Sequence, residues 1–284
     1  IIFLVSVKKG DKMNKKWLKY AFFTLIHLLT SFFLGRMCNQ LSLSYELILS
    51  PSIELLEKLI YLLLSIGGVI ISAGIVALLM KPLWISAAVF LLSSLAILFG
   101  WQRFSIQVGI ILLVYFVMCC YAAHGVHVEQ KEHIHFSTKP FKDSLSLFSI
   151  ALLIVACGSV FIGSKDAIDR NGFEIPASYL EIFTKPFKEQ ALSQVPYAEH
   201  KKFEGEFEGQ MQEMMDGFTE QIKPIEKYIP LIIGAMFLMP LLTVNQILSS
   251  IWLLVLQVVL KIFTAAGIVK IVTETRDVEK AIID

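Results

Sequence analysis

The chain has 284 residues, of which 56% are hydrophobic, and its formal net charge is +1. A soluble domain is usually about 45–50% apolar, so this composition excludes an ordinary soluble protein and predicts several membrane spans. The near-neutral charge provides no clustered basic surplus for phosphate contacts, which argues against nucleic acid as a partner. Four cysteines lie in or beside apolar runs and none lies in the longest polar segment, so no disulfide framework is visible.

The first apolar residues, Ile1 to Val5, are too short to span a bilayer, and three lysines follow them closely. Met13 is an alternative start, in which case residues 1–12 do not belong to the mature chain. The apolar run after Met13 ends in Gly35-Arg36-Met37-Cys38, a poor signal-peptidase site, so the sequence predicts a retained span.

Seven segments are apolar enough to cross a hydrocarbon core of about 30 Å, which needs about 20 helical residues. They are Trp17–Gly35, Leu59–Met80, Leu83–Gly100, Ser105–Ala123, Leu145–Gly163, Tyr228–Val244 and Ile247–Ile271. Pro240 lies near the end of the sixth segment and is expected to break or kink it. The sequence therefore predicts six or seven spans, and the side of the carboxyl terminus depends on whether the sixth one crosses.

The distribution of Lys and Arg predicts the orientation, because these residues collect in short cytoplasmic connections. With the amino terminus inside, ten of them fall on the inner side: Lys8, Lys9, Lys12, Lys15, Lys16, Lys19, Lys81, Lys131, Lys139 and Lys142. In the seven-span version the outer side holds six: Arg36, Lys58, Arg103, Lys270, Arg276 and Lys280. The prediction is an integral membrane protein with a cytoplasmic amino terminus and residues 164–227 outside the cytoplasm.

We predict an all-α, polytopic membrane helix bundle in three parts. Residues 1–163 form a five-span region with a basic amino-terminal arm and a His-rich cytoplasmic loop at 124–143. Residues 164–227 form a small, mostly helical insert, and residues 228–284 form a hairpin of two spans with a short tail. The small residues of the second span, such as Gly68 and Ser72, predict close helix packing.

The insert is net acidic, with thirteen Asp or Glu against eight Lys or Arg. Between residues 199 and 227, apolar side chains recur every three or four positions and form one stripe on a helix. This stripe can pack on the rest of the insert, or it can contact a partner protein or a second copy of the chain. The partner-contact candidates are Phe203, Phe207, Met211, Met214 and Phe218.

A cluster of histidines at the cytoplasmic end of the fourth span contains the candidate metal ligands His124, His127, His133 and His135. Imidazole suits zinc, copper or nickel, but this spacing matches no established closed site. A solvated or pH-sensitive loop is the alternative interpretation, so no cofactor is assigned.

Polar groups inside spans are functional candidates because hydrocarbon makes them costly. His27 lies in the first predicted span beside Thr24, Thr30 and Ser31, while Gln257 and Lys261 lie in the last one. His27 can be a satisfied packing contact or a relay, and Lys261 is expected near the middle of its span, facing the bundle or a wet cavity.

No nucleophile, metalloprotease or phosphate-loop motif occurs in the sequence, so it does not favour an enzyme. The preferred hypothesis is a non-enzymatic component of a membrane assembly that contacts a protein partner, or its own copy, through the insert. A solute transporter or channel with His27 and Lys261 along its path is the alternative. A membrane metalloprotein that uses the His124–His135 loop is the third.

Overall fold

The computed structural model describes residues 2–44, 52–132, 142–173 and 221–269, together with scattered positions between 184 and 217. The described secondary structure is entirely helical, which confirms the all-α prediction. The six long helices are α1 (Ile2–Leu43), α2 (Ile53–Leu79), α3 (Leu83–Trp101), α4 (Ile106–Glu132), α5 (Lys142–Asn171) and α6 (Ile229–Ala265). A 3₁₀ helix, Lys223–Tyr228, leads directly into α6.

Each of the six helices contains a stretch that is long and apolar enough to cross a membrane. A helix satisfies its backbone hydrogen bonds internally, and this is the condition that hydrocarbon imposes on any spanning segment. The described residues thus have the architecture of a polytopic membrane protein.

The carboxyl-terminal region differs from the predicted hairpin. Tyr228–Val244 and Ile247–Ile271 were expected to be separate spans, but α6 runs through both segments with Pro240 inside it. Proline lacks an N–H group and so deprives the carbonyl four residues earlier of its helical donor, yet the helix continues on both sides of Pro240. Membrane helices tolerate such a proline because neighbouring groups and small backbone adjustments satisfy the freed carbonyl.

Contacts between helix ends show that successive helices run in opposite directions. At one end, Tyr20 Oη donates a hydrogen bond to the carbonyl of Lys81 (3.2 Å) and Lys19 Nζ donates one to the carbonyl of Ile268 (2.5 Å). We call this the N-terminal end of the bundle. The carboxyl end of α6 therefore returns to the side on which the span of α1 begins.

The opposite end of the bundle carries the residues that flank the insert. Arg103 forms an ion pair with Asp166, and Glu226 Oε1 accepts a hydrogen bond from the backbone N–H of Phe173 at 2.6 Å. We call this the insert end.

Small residues let the helices approach closely, as predicted for α2. The closest approach joins α1 and α3 at Gly35 and Gly100: a Cβ at Gly35 would collide with the carbonyl oxygen of Ile97, and one at Gly100 with that of Phe32. On α2, Ser72 is buried and Gly67 lies under the indole ring of Trp252 from α6. Backbone contact at such points takes the place of the hydrophobic effect, which does not drive helix association in lipid.

We expect Gly35→Ala and Gly100→Ala each to destabilise the protein by about 1–3 kcal/mol, because the added methyl group meets backbone that no side-chain rotation can relieve. Equilibrium unfolding in mixed micelles measures this loss. Gly109→Ala on α4 is the matched control, since nothing lies within 4 Å of the place that an added Cβ would take, and helix propensity favours Ala by about 1 kcal/mol. Equal stability of the Gly35, Gly100 and Gly109 variants would contradict the close crossing.

Candidate functional site

A buried polar cluster surrounds His27 on α1, whose side chain is fully buried. Its Nδ1 lies 2.9 Å from Ser72 Oγ on α2, and Thr30 Oγ1 lies 3.0 Å from the same hydroxyl. The imidazole ring and the ring of Phe90 on α3 form a T-shaped contact, with centroids 5.6 Å apart. His27 and Thr30 are three residues apart on one helix, so they share the face that looks towards α2.

The two imidazole nitrogens of His27 have different surroundings. Nδ1 is paired with Ser72 Oγ, which also lies 3.1 Å from the carbonyl oxygen of Val69. When the Ser72 hydroxyl donates to that carbonyl, Nδ1 is the donor to Ser72 and Nε2 keeps an unshared electron pair. No hydrogen-bond partner for Nε2 exists among the described residues. The cluster therefore presents one imidazole nitrogen without a described partner inside the bundle.

A second group of hydroxyls lies one helical turn further along α1. Ser31 Oγ is 2.7 Å from Ser93 Oγ of α3, which is 2.9 Å from Tyr115 Oη of α4, and all three side chains are buried. Cys119, one turn after Tyr115 on α4, is a further hydrogen-bonding neighbour of the phenol. Together the two groups join the first four helices across their centre.

The chemistry of this network is limited to hydrogen bonding and the transfer of a proton to or from His27. Its described members are hydroxyls, one thiol and one imidazole, and no carboxylate or lysine joins them. Interhelical hydrogen bonds of this kind contribute about 0.6 kcal/mol on average in a membrane protein, and up to about 1.7 kcal/mol. The sequence singled out His27, Thr30, Ser31 and Ser72, but it gave no sign that Ser93 and Tyr115 would meet them.

Lys261 lies nearer to the end of its helix than the sequence predicted. The last span was placed at Ile247–Ile271, which put Lys261 near its middle, whereas α6 ends at Ala265 and Lys261 lies four residues before that end. Its side chain is exposed and that of Gln257 is half-buried, while His27 is fully buried. Lys261 can therefore extend its ammonium group to the membrane surface.

Part of the His-rich segment serves to cap another helix. α4 continues through Gly125 to Glu132, so His124 and His127 belong to one helix; His124 is exposed. His127 Nε2 lies 2.9 Å from the carbonyl oxygen of Ala77, and Gln130 Nε2 donates to that of Leu78 at 3.1 Å. These are carbonyls of the last turn of α2, which has no internal donors for them.

His133 and His135 lie outside the described residues, so the four-histidine metal hypothesis stays a prediction. Within the part of the chain that the structure describes, no three His, Cys, Asp or Glu side chains come together as metal ligands.

The partner-contact candidates on the insert fall on helical positions where they are described. The rings of Phe203 and Phe207 stack with centroids 6.1 Å apart, both side chains are half-buried, and so is that of Met211. Met214 is 60% exposed, and Phe218 lies outside the described residues. That this stripe contacts a partner remains a prediction.

A buried pair that the sequence reasoning missed ties α6 to α5, where Ser149 donates a hydrogen bond to the side-chain carbonyl of Asn245. Beside it lies a cavity of about 10 Å³ between α2, α5 and α6, lined by Ile70, Lys142, Leu145, Ser149, Ser249, Trp252 and Leu253. This volume suits a single water molecule at most. A lone Asn in an apolar run is the signal that could have marked the contact.

No family model, curated protein or solved structure matches this chain. Its function is therefore inferred from the described residues alone.

We expect Ser72→Ala to cost about 1 kcal/mol, because it leaves Nδ1 of His27 without its hydrogen-bond partner. Unfolding in mixed micelles should show this loss in the wild-type background and little of it in a His27→Leu background. Ser65→Ala is the control, since its hydroxyl bonds only the Tyr61 carbonyl of its own helix at 2.8 Å. A Ser72→Ala loss of the same size in both backgrounds would show that the two side chains are not coupled.

Proposed function

We propose that this protein is a non-enzymatic component of a membrane assembly, and that it holds a partner protein against α6 and the neighbouring insert. The observation that carries this proposal is the length of the uncharged, uncovered surface of α6. The lipid bilayer accounts for the apolar faces of the other helices, but it does not account for all of this one.

The uncharged runs of α2 and α5 match a bilayer core. The 22 residues between Lys58 and Lys81, and the 21 between Asp143 and Lys165, carry no charge. At 1.5 Å per residue they extend about 32–33 Å, close to a core of about 30 Å. In α6 the uncharged run between Lys227 and Lys261 has 33 residues, which amounts to about 50 Å.

The excess of about 20 Å is more than tilting removes, because even the largest usual tilt of about 40° leaves about 38 Å along the membrane normal. Little of α6 is covered by the other described residues. Only 11% of its most apolar stretch is buried, against 67% for α2 and for α5. Exposed side chains on its surface include Leu231, Met236, Met239, Ile247 and Leu254. An apolar surface that extends past the hydrocarbon favours a protein partner.

The insert supplies a second contact surface next to the first. It leads into α6 through the 3₁₀ helix Lys223–Tyr228, so the Phe and Met stripe and the start of α6 are close in the chain. The net charge of −5 over residues 164–227 complements a basic rim on the partner. We therefore expect a partner with an apolar helical face bordered by Lys or Arg, or a second copy that offers its own basic residues.

The orientation proposed for this function has the amino terminus in the cytoplasm and the insert outside it. Because α6 ends at the N-terminal end of the bundle, the basic residues that follow it in sequence count towards the cytoplasmic side. The Lys and Arg count becomes thirteen inside against three outside, compared with ten against six for seven spans. The single-helix form of α6 thus supports the proposed orientation through the rule for basic residues.

A photoreactive amino acid at Met239 or at Met214 should yield one discrete protein adduct after illumination of intact membranes, because both side chains are exposed on the proposed contact surfaces. Leu29 on α1 is the matched control, because it is 53% exposed. The apolar run of α1 is short enough for the bilayer alone to surround it. Mass spectrometry of the adduct identifies another protein or a second copy. Only lipid and intramolecular adducts at all three positions would contradict the proposal.

The second candidate function, a transporter or channel, is favoured by the open Nε2 of His27 inside the bundle. A proton is the simplest cargo that this acceptor can bind. Lys261 has a different environment from His27, so a single path through both residues has no support from their positions.

This candidate predicts that vesicles containing the protein dissipate an imposed pH gradient faster than empty vesicles, as reported by a trapped pH-sensitive dye. His27→Gln should remove most of the excess rate, because an amide does not accept a proton near neutral pH. Lys261→Leu tests whether Lys261 takes part in proton transport. An unchanged rate in this variant would show that it does not. A wild-type rate equal to that of empty vesicles would contradict proton transport.

A further inference from the structure

We propose that the N-terminal end of the bundle binds the headgroups of anionic phospholipids through Lys16 and Lys81. This surface is distinct from α6 and the insert, and it does not depend on the function proposed above.

One tyrosine brings the two lysines together. Lys16 Nζ lies 5.4 Å from the ring centroid of Tyr20, and Tyr20 Oη bonds both the carbonyl (3.2 Å) and the N–H (3.4 Å) of Lys81. Lys19, on the same turn of α1, is bound to the carbonyl of Ile268 and fixes the end of α6 beside them. The start of the α1 span, the α2–α3 connection and the end of α6 therefore meet at one basic surface.

Among the described residues, the lysines of this surface have no salt-bridge partners of the kind found at the insert end. At the insert end, Lys58 pairs with Glu54 (2.8 Å), Arg103 pairs with Asp166, and Lys165 pairs with Asp169 (4.0 Å). At the N-terminal end the lysine side chains are exposed, and no salt bridge joins one of them to a carboxylate among the described residues. These lysines are Lys16, Lys19, Lys81, Lys142 and Lys261. An anion from outside the chain would supply the missing charge.

The neighbouring side chains place these ammonium groups at the depth of lipid headgroups. Trp17 (52% exposed) and Trp84 (65% exposed) lie beside Lys16 and Lys81 in sequence, and such aromatic side chains prefer the membrane–water boundary. Leu18, Phe22 and Leu25 follow on α1 as exposed apolar side chains that suit acyl chains. Cations above an outward-facing apolar surface fit the phosphate of a lipid better than a soluble anion, which offers nothing to that surface.

Tryptophan quenching by brominated lipids tests this proposal, because Trp17 and Trp84 are exposed at the proposed site while Trp101 is fully buried. The purified full chain is reconstituted in brominated phosphatidylcholine with increasing brominated phosphatidylglycerol, and the relative affinity of the two lipids is fitted. We expect phosphatidylglycerol to be preferred, and Lys16→Gln with Lys81→Gln to lower the preference by up to about fivefold for each lysine.

The controls separate charge, fold and ligand source. Lys16→Arg with Lys81→Arg should retain the preference, and Lys58→Gln with Lys165→Gln should also retain it because these lysines lie at the insert end and already pair with carboxylates. Equal wild-type affinity for the two lipids would overturn the proposal irrespective of how any variant folds. So would an unchanged preference in the double Gln variant, or competition by inorganic phosphate beyond that of chloride at equal ionic strength.

Discussion

The crossing of α1 and α3 is the contact on which the remaining architecture depends. At Gly35 and Gly100 the two backbones meet without intervening side chains, which sets the separation of the helices along their shared length. Ser31 and Ser93 bond directly across the same interface at 2.7 Å, a distance that two short side chains reach only between closely packed helices. α1 also packs on α2 and α5, so a change in this separation would alter the packing of most of the bundle.

Hydrocarbon imposes the second constraint, because it offers no hydrogen-bond partner to a polar side chain. Several buried serines of the described bundle meet it within their own helix, as Ser94 does with the Phe90 carbonyl, and others with a neighbouring helix, as Ser93 does. Bonds of the second kind specify which helices are adjacent, whereas bonds of the first kind leave the choice open. Exceptions among the described residues include His27 and Trp101, since Nε2 of the imidazole and Nε1 of the indole have no described partner. Of these two groups only the imidazole can accept a proton, which makes His27 the more chemically capable.

The sequence predicted the helices well because span length and apolarity follow from bilayer thickness alone. The first five predicted segments each lie within one described helix or within a residue of its end. Pro240 misled the prediction, since the cost of a proline depends on what surrounds the freed carbonyl, and the sequence does not contain that information. The helix that contains Lys261 ends at Ala265, six residues before the predicted end of the last span. The contact of His127 could not be predicted either. The carbonyl of Ala77, which it meets, lies 50 residues away in the sequence, and no local pattern reports on such a distant neighbour.

The capping of α2 by α4 has a consequence for the order in which the protein can assemble. The carbonyls of Ala77 and Leu78 receive their donors from residues that leave the ribosome about 50 positions later. Until then, these two carbonyls of the α2–α3 hairpin have no donor within the chain, and water at the membrane surface must solvate them. The arrival of α4 removes that need. The fourth helix is therefore better regarded as the closing step for a hairpin that is already inserted.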